Sequence, residues 1–155
     1  MTITIRRATA QDTHGVRYVG TVAWPATYGA AKGADYVMSG LDAYWSAGVI
    51  STAIQAGYIG VAQSPDGIGG MVHVEELGED LVMWKLYVLP DQQGTGVGRA
   101  LVQAAKNRAR TQGMGLLTEF EPSNERVRGF YLREGFSVTT APWAGSDAIW
   151  LRWTE

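Results

Sequence analysis

Residues 86–101 read Leu86-Tyr87-Val88-Leu89-Pro90-Asp91-Gln92-Gln93-Gly94-Thr95-Gly96-Val97-Gly98-Arg99-Ala100-Leu101: an apolar strand, a turn with a glycine at every second position, and the opening of a helix. Glycines spaced in this way let successive backbone N–H groups turn inward without Cβ clashes. The helix that follows adds its own unpaired N–H groups and the positive end of its dipole. A chain carrying this unit must build a strand–turn–helix in mid-sequence, with a cradle for a phosphate or pyrophosphate at the turn.

The apolar periodicity on either side predicts the remaining elements. Ile3 and Ile5 alternate with Thr2, Thr4 and Arg6 as in a strand. Gln11 to about Trp24 carries Val16, Val19 and Val22 at helical spacing, with Thr9 or Asp12 as its cap and Pro25 and Gly29 as interruptions. A second helical region runs from Asp35 to about Gln55, broken near Gly40 and Gly48. Strands follow over Tyr58–Gln63, Ile68–Leu77 and Leu81–Leu89, divided by the turns Ser64-Pro65-Asp66-Gly67 and Gly78-Glu79-Asp80. Gly98–Thr111 is a helix that Gly113 stops, with Leu101, Val102, Ala104, Ala105 and Ala109 facing inward. Leu116–Glu121 is a strand, Asn124–Glu134 a short helix stopped by Gly135, and Phe136–Thr140 and Ala148–Trp153 are closing strands. The order β-α-α-β-β-β-α-β-α-β-β predicts a single α/β domain over residues 1–155. Its sheet is mixed and mostly antiparallel, with six to seven strands and about four flanking helices.

Composition narrows the chemistry. A chain of 155 residues, 46% apolar and 18% charged, suits one sizeable core. A formal charge of −2 argues against a general nucleic-acid binder, although Arg99, Lys106, Arg108 and Arg110 cluster in sequence. With no cysteine, disulfides, thiol nucleophiles and thiolate metal sites are excluded; with His14 and His73 as its only histidines, no metal site is expected. There is no long apolar run and no signal-peptide pattern, so the expectation is a cytoplasmic protein without a membrane span.

Three phosphate ligands compete for the glycine turn. A P-loop needs Lys-Ser or Lys-Thr directly after the glycines, and Arg99-Ala100 stands there instead. A dinucleotide fingerprint needs G-x-G-x-x-G in an opening βα unit; this turn has G-x-G-x-G in mid-chain. Gln93-x-x-Gly96-x-Gly98 after Val88-Leu89-Pro90 resembles the coenzyme A pyrophosphate loop of the GNAT N-acetyltransferase family. A second segment, Pro122 to Phe136, resembles the other motif of that family: an Asn opening a short helix, a Tyr seven positions on, then Gly-Phe entering a strand. The resemblance covers about residues 56–137. Departures are Val127, where a small Ala is common, and Gly129 inside the helix, which costs about 1 kcal/mol relative to Ala.

The resemblance implies a role for each site residue. The backbone N–H groups of Gln93, Gly94, Thr95, Gly96, Val97 and Gly98 hold the pyrophosphate, and Arg99 either meets a coenzyme phosphate or is solvated. Leu86, Tyr87 and Val88 pair with the pantetheine arm as a peptide adds to a sheet edge, and a backbone N–H near Val88 polarises the thioester carbonyl. Asn124 hydrogen-bonds the arm or caps a helix. Tyr131 is the acid for the departing thiolate, or else packs helix against sheet. Glu119 is the first choice of base, with a water chain as the alternative; Glu75, Glu76, Asp80 and His73 read as solvated strand or turn residues.

The implied activity is acetyl transfer from acetyl-CoA, without a metal, to a primary amine: a small molecule, an amino acid or a protein N-terminus. Attack is direct in a ternary complex, since no nucleophile–base pair is evident. The alternative is a non-catalytic acyl-CoA sensor on the same fold. Trp24, Tyr28, Tyr36, Tyr44, Trp45, Trp84 and Trp143 are placed to line an acceptor pocket or to pack as lid and core. Lys85 stands where an acidic residue often appears in the family. The expected partners are a small-molecule or peptide amine, with no nucleic acid and no membrane. The protein is expected as a monomer or as a homodimer through Ile149–Trp153.

Overall fold

The computed structural model describes residues 2–155. A seven-stranded sheet has the order β1-β2-β3-β4-β5-β7-β6, built from β1 (Thr4–Arg7), β2 (Ile59–Ser64), β3 (Gly67–Leu77), β4 (Asp80–Val88), β5 (Gly115–Phe120), β6 (Ser137–Thr139) and β7 (Ile149–Trp153). Every pairing is antiparallel except β4 with β5. That parallel pair is joined through α3 (Val97–Gln112), as a parallel connection requires. Helices α1 (Thr13–Tyr44) and α2 (Ala47–Gln55) cover one sheet face, while α3 and α4 (Val127–Arg133) cover the other.

Each face has its own core. Val72, Val74, Leu81 and Met83 pack with Leu101, Val102 and Ala105 of α3 and with Tyr131 and Phe136. On the opposite face Val61 and Met71 meet Val16, Val19, Trp24, Trp45 and Ile50. Beside this second core, Val82, Leu117 and Trp150 form a smaller cluster under Trp84. β4 changes hand along its length. Val74 opposes Met83 and His73 opposes Lys85, which leaves Trp84 as the extra residue of a β-bulge. Before the bulge Leu81 and Met83 face α3; beyond it Leu86 and Val88 do.

The helices differ from the sequence expectation in where they break. α1 runs through Pro25 and Gly29 and is interrupted at Gly33, which has φ 80° and ψ 179°. The missing Pro N–H and ring clash cost about 3 kcal/mol; Trp24 and Tyr28, both buried against the sheet, hold the helix together across it. The second interruption falls not at Gly40 or Gly48 but after Tyr44, where Ser46 caps α2 by accepting the Val49 N–H at 3.2 Å. Gly40 stays helical because the Trp24 indole lies on it, and a Cβ there would meet the ring at 2.3 Å. Trp24 Nε1 also donates to the Val37 carbonyl at 3.1 Å, tying together the two halves of α1. The Trp45 ring lies against Gly20 in the same way, 2.0 Å from a built Cβ.

The basic residues clustered in sequence form no patch. Lys106 donates to the Glu134 carbonyl, Arg108 to the Val74 carbonyl at 3.1 Å, and Arg110 pairs with Glu155 at 2.9 Å. Asp80, expected to be solvated, accepts both ends of the Arg152 guanidinium at 2.9 Å each, which holds its carboxyl below the usual range. Among the described residues no helix is long and apolar enough to cross a membrane.

The tryptophan–glycine contacts give a stability test. Gly20→Ala should lower unfolding stability by about 1–3 kcal/mol, the cost of overpacking. Gly29→Ala, with nothing within 4 Å of its Cβ, should raise it by up to about 1 kcal/mol through helix propensity. Urea denaturation of the two variants beside the native chain reads both signs.

Candidate active site

The sheet opens at its centre. β4 and β5 pair from Asp80–Gly115 to Met83–Thr118 and no further. Thr118 Oγ1 donates to the Met83 carbonyl at 2.9 Å and closes the last rung. Beyond it β5 stays with β7 through Phe120–Ile149, while β4 bulges at Trp84 and stays with β3 through Val88–Gly70. One backbone edge of β4, from Trp84 to Val88, therefore has no strand partner. That edge can accept the amide groups of an extended ligand as a sheet accepts another strand.

Tyr131 reaches the fork from α4. It is buried among Phe130 and Phe136. Burial pushes its phenol up to about 12, with the neighbouring Thr118 hydroxyl pulling the other way.

The glycine turn lies at the far end of the free edge. After β4 the chain makes a 3-10 turn over Pro90–Gln92, and Gln93 Nε2 donates back to the Val88 carbonyl at 3.3 Å. Gly94 and Gly96 take φ values of 78° and 91°, a conformation that β-carbons resist, with open space beside both. Gly96 is the N-cap of α3 and offers no side-chain acceptor. The first helical bond runs from the Ala100 N–H to the Gly96 carbonyl, which leaves the N–H groups of Val97, Gly98 and Arg99 free for an anion. A Cβ on Gly98 would touch Val88 and Phe130 at 3.7 and 3.8 Å, so cradle, strand edge and α4 meet there. Arg99 is 79% exposed, 3.6 Å from the Glu134 carboxylate.

Asn124 departs from the expected geometry. It ends a 3-10 turn over Pro122–Asn124, which Glu121 caps by accepting the Ser123 N–H at 2.8 Å, and α4 begins at Val127. Asn124 and Tyr131 thus belong to two segments rather than to the single helix expected over Asn124–Glu134.

On the other face of the fork, under α1 and α2, is a cleft of about 500 Å³. Trp24, Tyr28, Tyr36, Tyr44, Trp45, Trp84 and Tyr87 give it aromatic walls, and Glu75, Glu119, Glu121 and Asp147 give it carboxylates. Glu119 is half-buried, and burial alone raises its carboxyl pKa, with no cation offsetting it. Glu121 is already paired: Lys32 Nζ lies 3.0 Å from it and 5.1 Å from the Tyr36 ring centre. Trp143, half-exposed, packs edge-to-face on Trp150 and tilted against Trp84 behind the cleft instead of lining it.

His73 differs from its solvated reading, and Lys85, which stands where the family often has an acidic residue, is engaged inside the cleft. His73 is buried, stacked on Tyr58, with Nε2 3.0 Å from Glu75 Oε1 and no partner for Nδ1. Burial holds its pKa below the ordinary value, with the Glu75 hydrogen bond opposing. Lys85 bends under α2, donates to the Tyr44 carbonyl, and lies 4.5 Å from the Trp45 ring centre. Burial lowers its ammonium pKa to about 8. Lys32 carries no sequence signal of its role, because its partner is 89 positions away; Asp147, on the late loop, carries none either.

A family model described as an acetyltransferase (GNAT) domain matches residues 55–138, from the end of α2 to β6. No curated protein matches the chain. Among solved structures, the PaiA N-acetyltransferase from Thermoplasma acidophilum in complex with coenzyme A is similar with a TM-score of 0.88 and 18% identity, over 98% of this chain and 98% of its own. The ribosomal-protein-S18-alanine N-acetyltransferase from Escherichia coli is similar with a TM-score of 0.72 and 18% identity, over 97% of this chain and 92% of its own. Apo YjaB from Escherichia coli has a TM-score of 0.70 and 26% identity, over 98% of this chain and 96% of its own.

Proposed function

The chain belongs to the GNAT acetyltransferase family, and on that premise we propose that it is an acetyl-CoA-dependent N-acetyltransferase acting on a primary amine by direct attack. One observation carries the reading: the free edge of β4 links a bare α3 N-terminus at one end to the carboxylate-lined aromatic cleft at the other. A donor with a pyrophosphate and an amide-bearing arm fits that path, and an amine fits the cleft that it reaches. Acetyl-CoA, when bound, supplies an acyl group activated as a thioester.

The chain's own groups then have distinct work. The N–H groups of Gln93 to Gly98 hold the pyrophosphate, and the open space beside Gly94 and Gly96 receives it. Arg99, exposed at this end, is placed to meet a further phosphate. Leu86, Tyr87 and Val88 offer backbone groups along the arm, and an N–H near Val88 polarises the carbonyl. Asn124, beyond the end of β5, hydrogen-bonds the arm. Glu119 takes the proton from the incoming ammonium; a buried carboxylate with a raised pKa is a better base than an exposed one. Tyr131, its phenol at about 12, keeps its proton at neutral pH and presents it to the leaving sulfur. A thiol pKa near 8.5 makes complete transfer from such a phenol uphill, so donation accompanies cleavage of the C–S bond rather than preceding it.

Release of thiol from acetyl-CoA in the presence of a mixed-amine panel tests the activity. Gly96→Asp puts a charge and a Cβ into the cradle and should abolish coenzyme A binding in calorimetry; retained affinity refutes the cradle. Tyr131→Phe should lower kcat about 100-fold with coenzyme A affinity nearly unchanged. In the native enzyme kcat/KM should fall as pH drops through the raised Glu119 pKa, because the base becomes protonated. Glu119→Gln should remove that acid limb and lower the rate across the profile; an unaltered profile assigns the proton to water.

A further inference from the structure

The cleft is built for one charge type. Of its four carboxylates, only Glu121 has a lysine partner. Glu119 is held in a half-buried position with nothing but desolvation acting on it. Lys85 is the only lysine or arginine among the described residues that line the cleft, and its ammonium is already engaged by the Tyr44 carbonyl and the Trp45 face. Both lysines at this site, Lys32 and Lys85, place their ammonium groups over aromatic rings, at 5.1 and 4.5 Å from the ring centres. The chain itself therefore displays how the cleft receives an alkylammonium: a ring face and an oxygen acceptor. The Lys32–Glu121 bridge joins α1 to the end of β5 at Tyr36 and bounds the cleft on that side.

We infer that the acceptor is a small primary alkyl- or arylalkylamine with no carboxylate, rather than an amino acid or a peptide α-amine. This rests on the acetyl-transfer reading above. An ammonium beside Glu119 gains an unpaired carboxylate, and its apolar body lies along the aromatic lining of the cleft, of which Tyr36, Tyr44 and Trp84 are the less buried members. An α-carboxylate on the same carbon as that ammonium lies within about 5 Å of Glu119. At an effective dielectric near 20 that repulsion is worth about two orders of magnitude in affinity. A peptide must in addition fit the chain that continues from its α-carbon into a cleft of about 500 Å³, a demand that the small amine does not make.

The test uses amines that differ only in the carboxylate, with the enzyme saturated in acetyl-CoA: phenethylamine against phenylalanine, and pentylamine against norleucine. The dipeptide amide of phenylalanine and alanine serves as the peptide arm. The expected result is kcat/KM at least 100-fold higher for each carboxylate-free amine than for its amino acid, and higher than for the peptide. Ratios within tenfold, or preference for the peptide, overturn the inference. Lys85→Met adds an independent arm read as a ratio: an acceptor carboxylate seated on Lys85 would raise the phenethylamine-to-phenylalanine ratio of kcat/KM a further tenfold or more, which also overturns the inference, whereas the expected result is an unchanged ratio. Tryptophan fluorescence without acetyl-CoA separates this inference from the transfer reading. Quenching by phenethylamine but not phenylalanine, with no turnover of any amine, supports the ligand class and refutes transfer. No quenching by either amine, with coenzyme A bound and another amine turned over, refutes the class and leaves transfer standing.

Discussion

The parting of β4 from β5 after the Met83–Thr118 rung is the constraint on which the rest depends. A parallel pair that ran its full length would bury both backbone edges and leave no room at the centre of the sheet. Here Thr118 spends its hydroxyl on the Met83 carbonyl, ending the shared ladder in a satisfied hydrogen bond rather than a frayed one. Past that point each strand keeps its other neighbour, β3 for β4 and β7 for β5. The sheet thus stays continuous while a slot opens inside it, and Tyr131 enters that slot from one face and Glu119 borders it on the other.

The Trp84 bulge decides what each face sees. One extra residue inverts the alternation of β4, so Trp84 and Lys85, adjacent in sequence, both line the cleft. Leu86 and Val88 are thereby returned to the α3 core, and Tyr87 to the aromatic layer beside Trp24 and Trp45. Without the bulge, strict alternation would send Lys85 into the apolar core and Tyr87 with it. The bulge brings Lys85 to Trp45, and the ring face and the Tyr44 carbonyl then hold its ammonium there.

Particular residues show how far the sequence carries. The glycine turn, the inner face of α3 apart from the partly buried Ala104, and the stops at Gly113 and Gly135 were legible, because positive φ at glycine and a 3.6-residue apolar stripe are local demands. The helix breaks were legible only in part: the second helical region was expected from Asp35, just past the observed break at Gly33, but Pro25, Gly29 and Gly40 do not interrupt. Pro25 and Gly40 look like interruptions until Trp24 is known to pack across both halves of α1, and a packing partner 16 positions away leaves no local mark. His73 read as solvated because strand alternation reports a face, not whether that face is covered; the stacking of Tyr58 and the cover from the helices decide it.

The sequence by itself determined the order of elements, the strand–turn–helix unit with its uncapped N–H groups, and the presence of Glu119 and Tyr131 on the elements flanking it. These follow from short-range chemistry: turn glycines, strand alternation and helix periodicity. Tertiary structure alone decided where β4 and β5 separate, which way β4 faces after Trp84, and how α1 folds back to bring Lys32 against Glu121. Those depend on pairings between residues tens of positions apart, whose energies come from packing and hydrogen bonds that exist only once the sheet has closed on its helices.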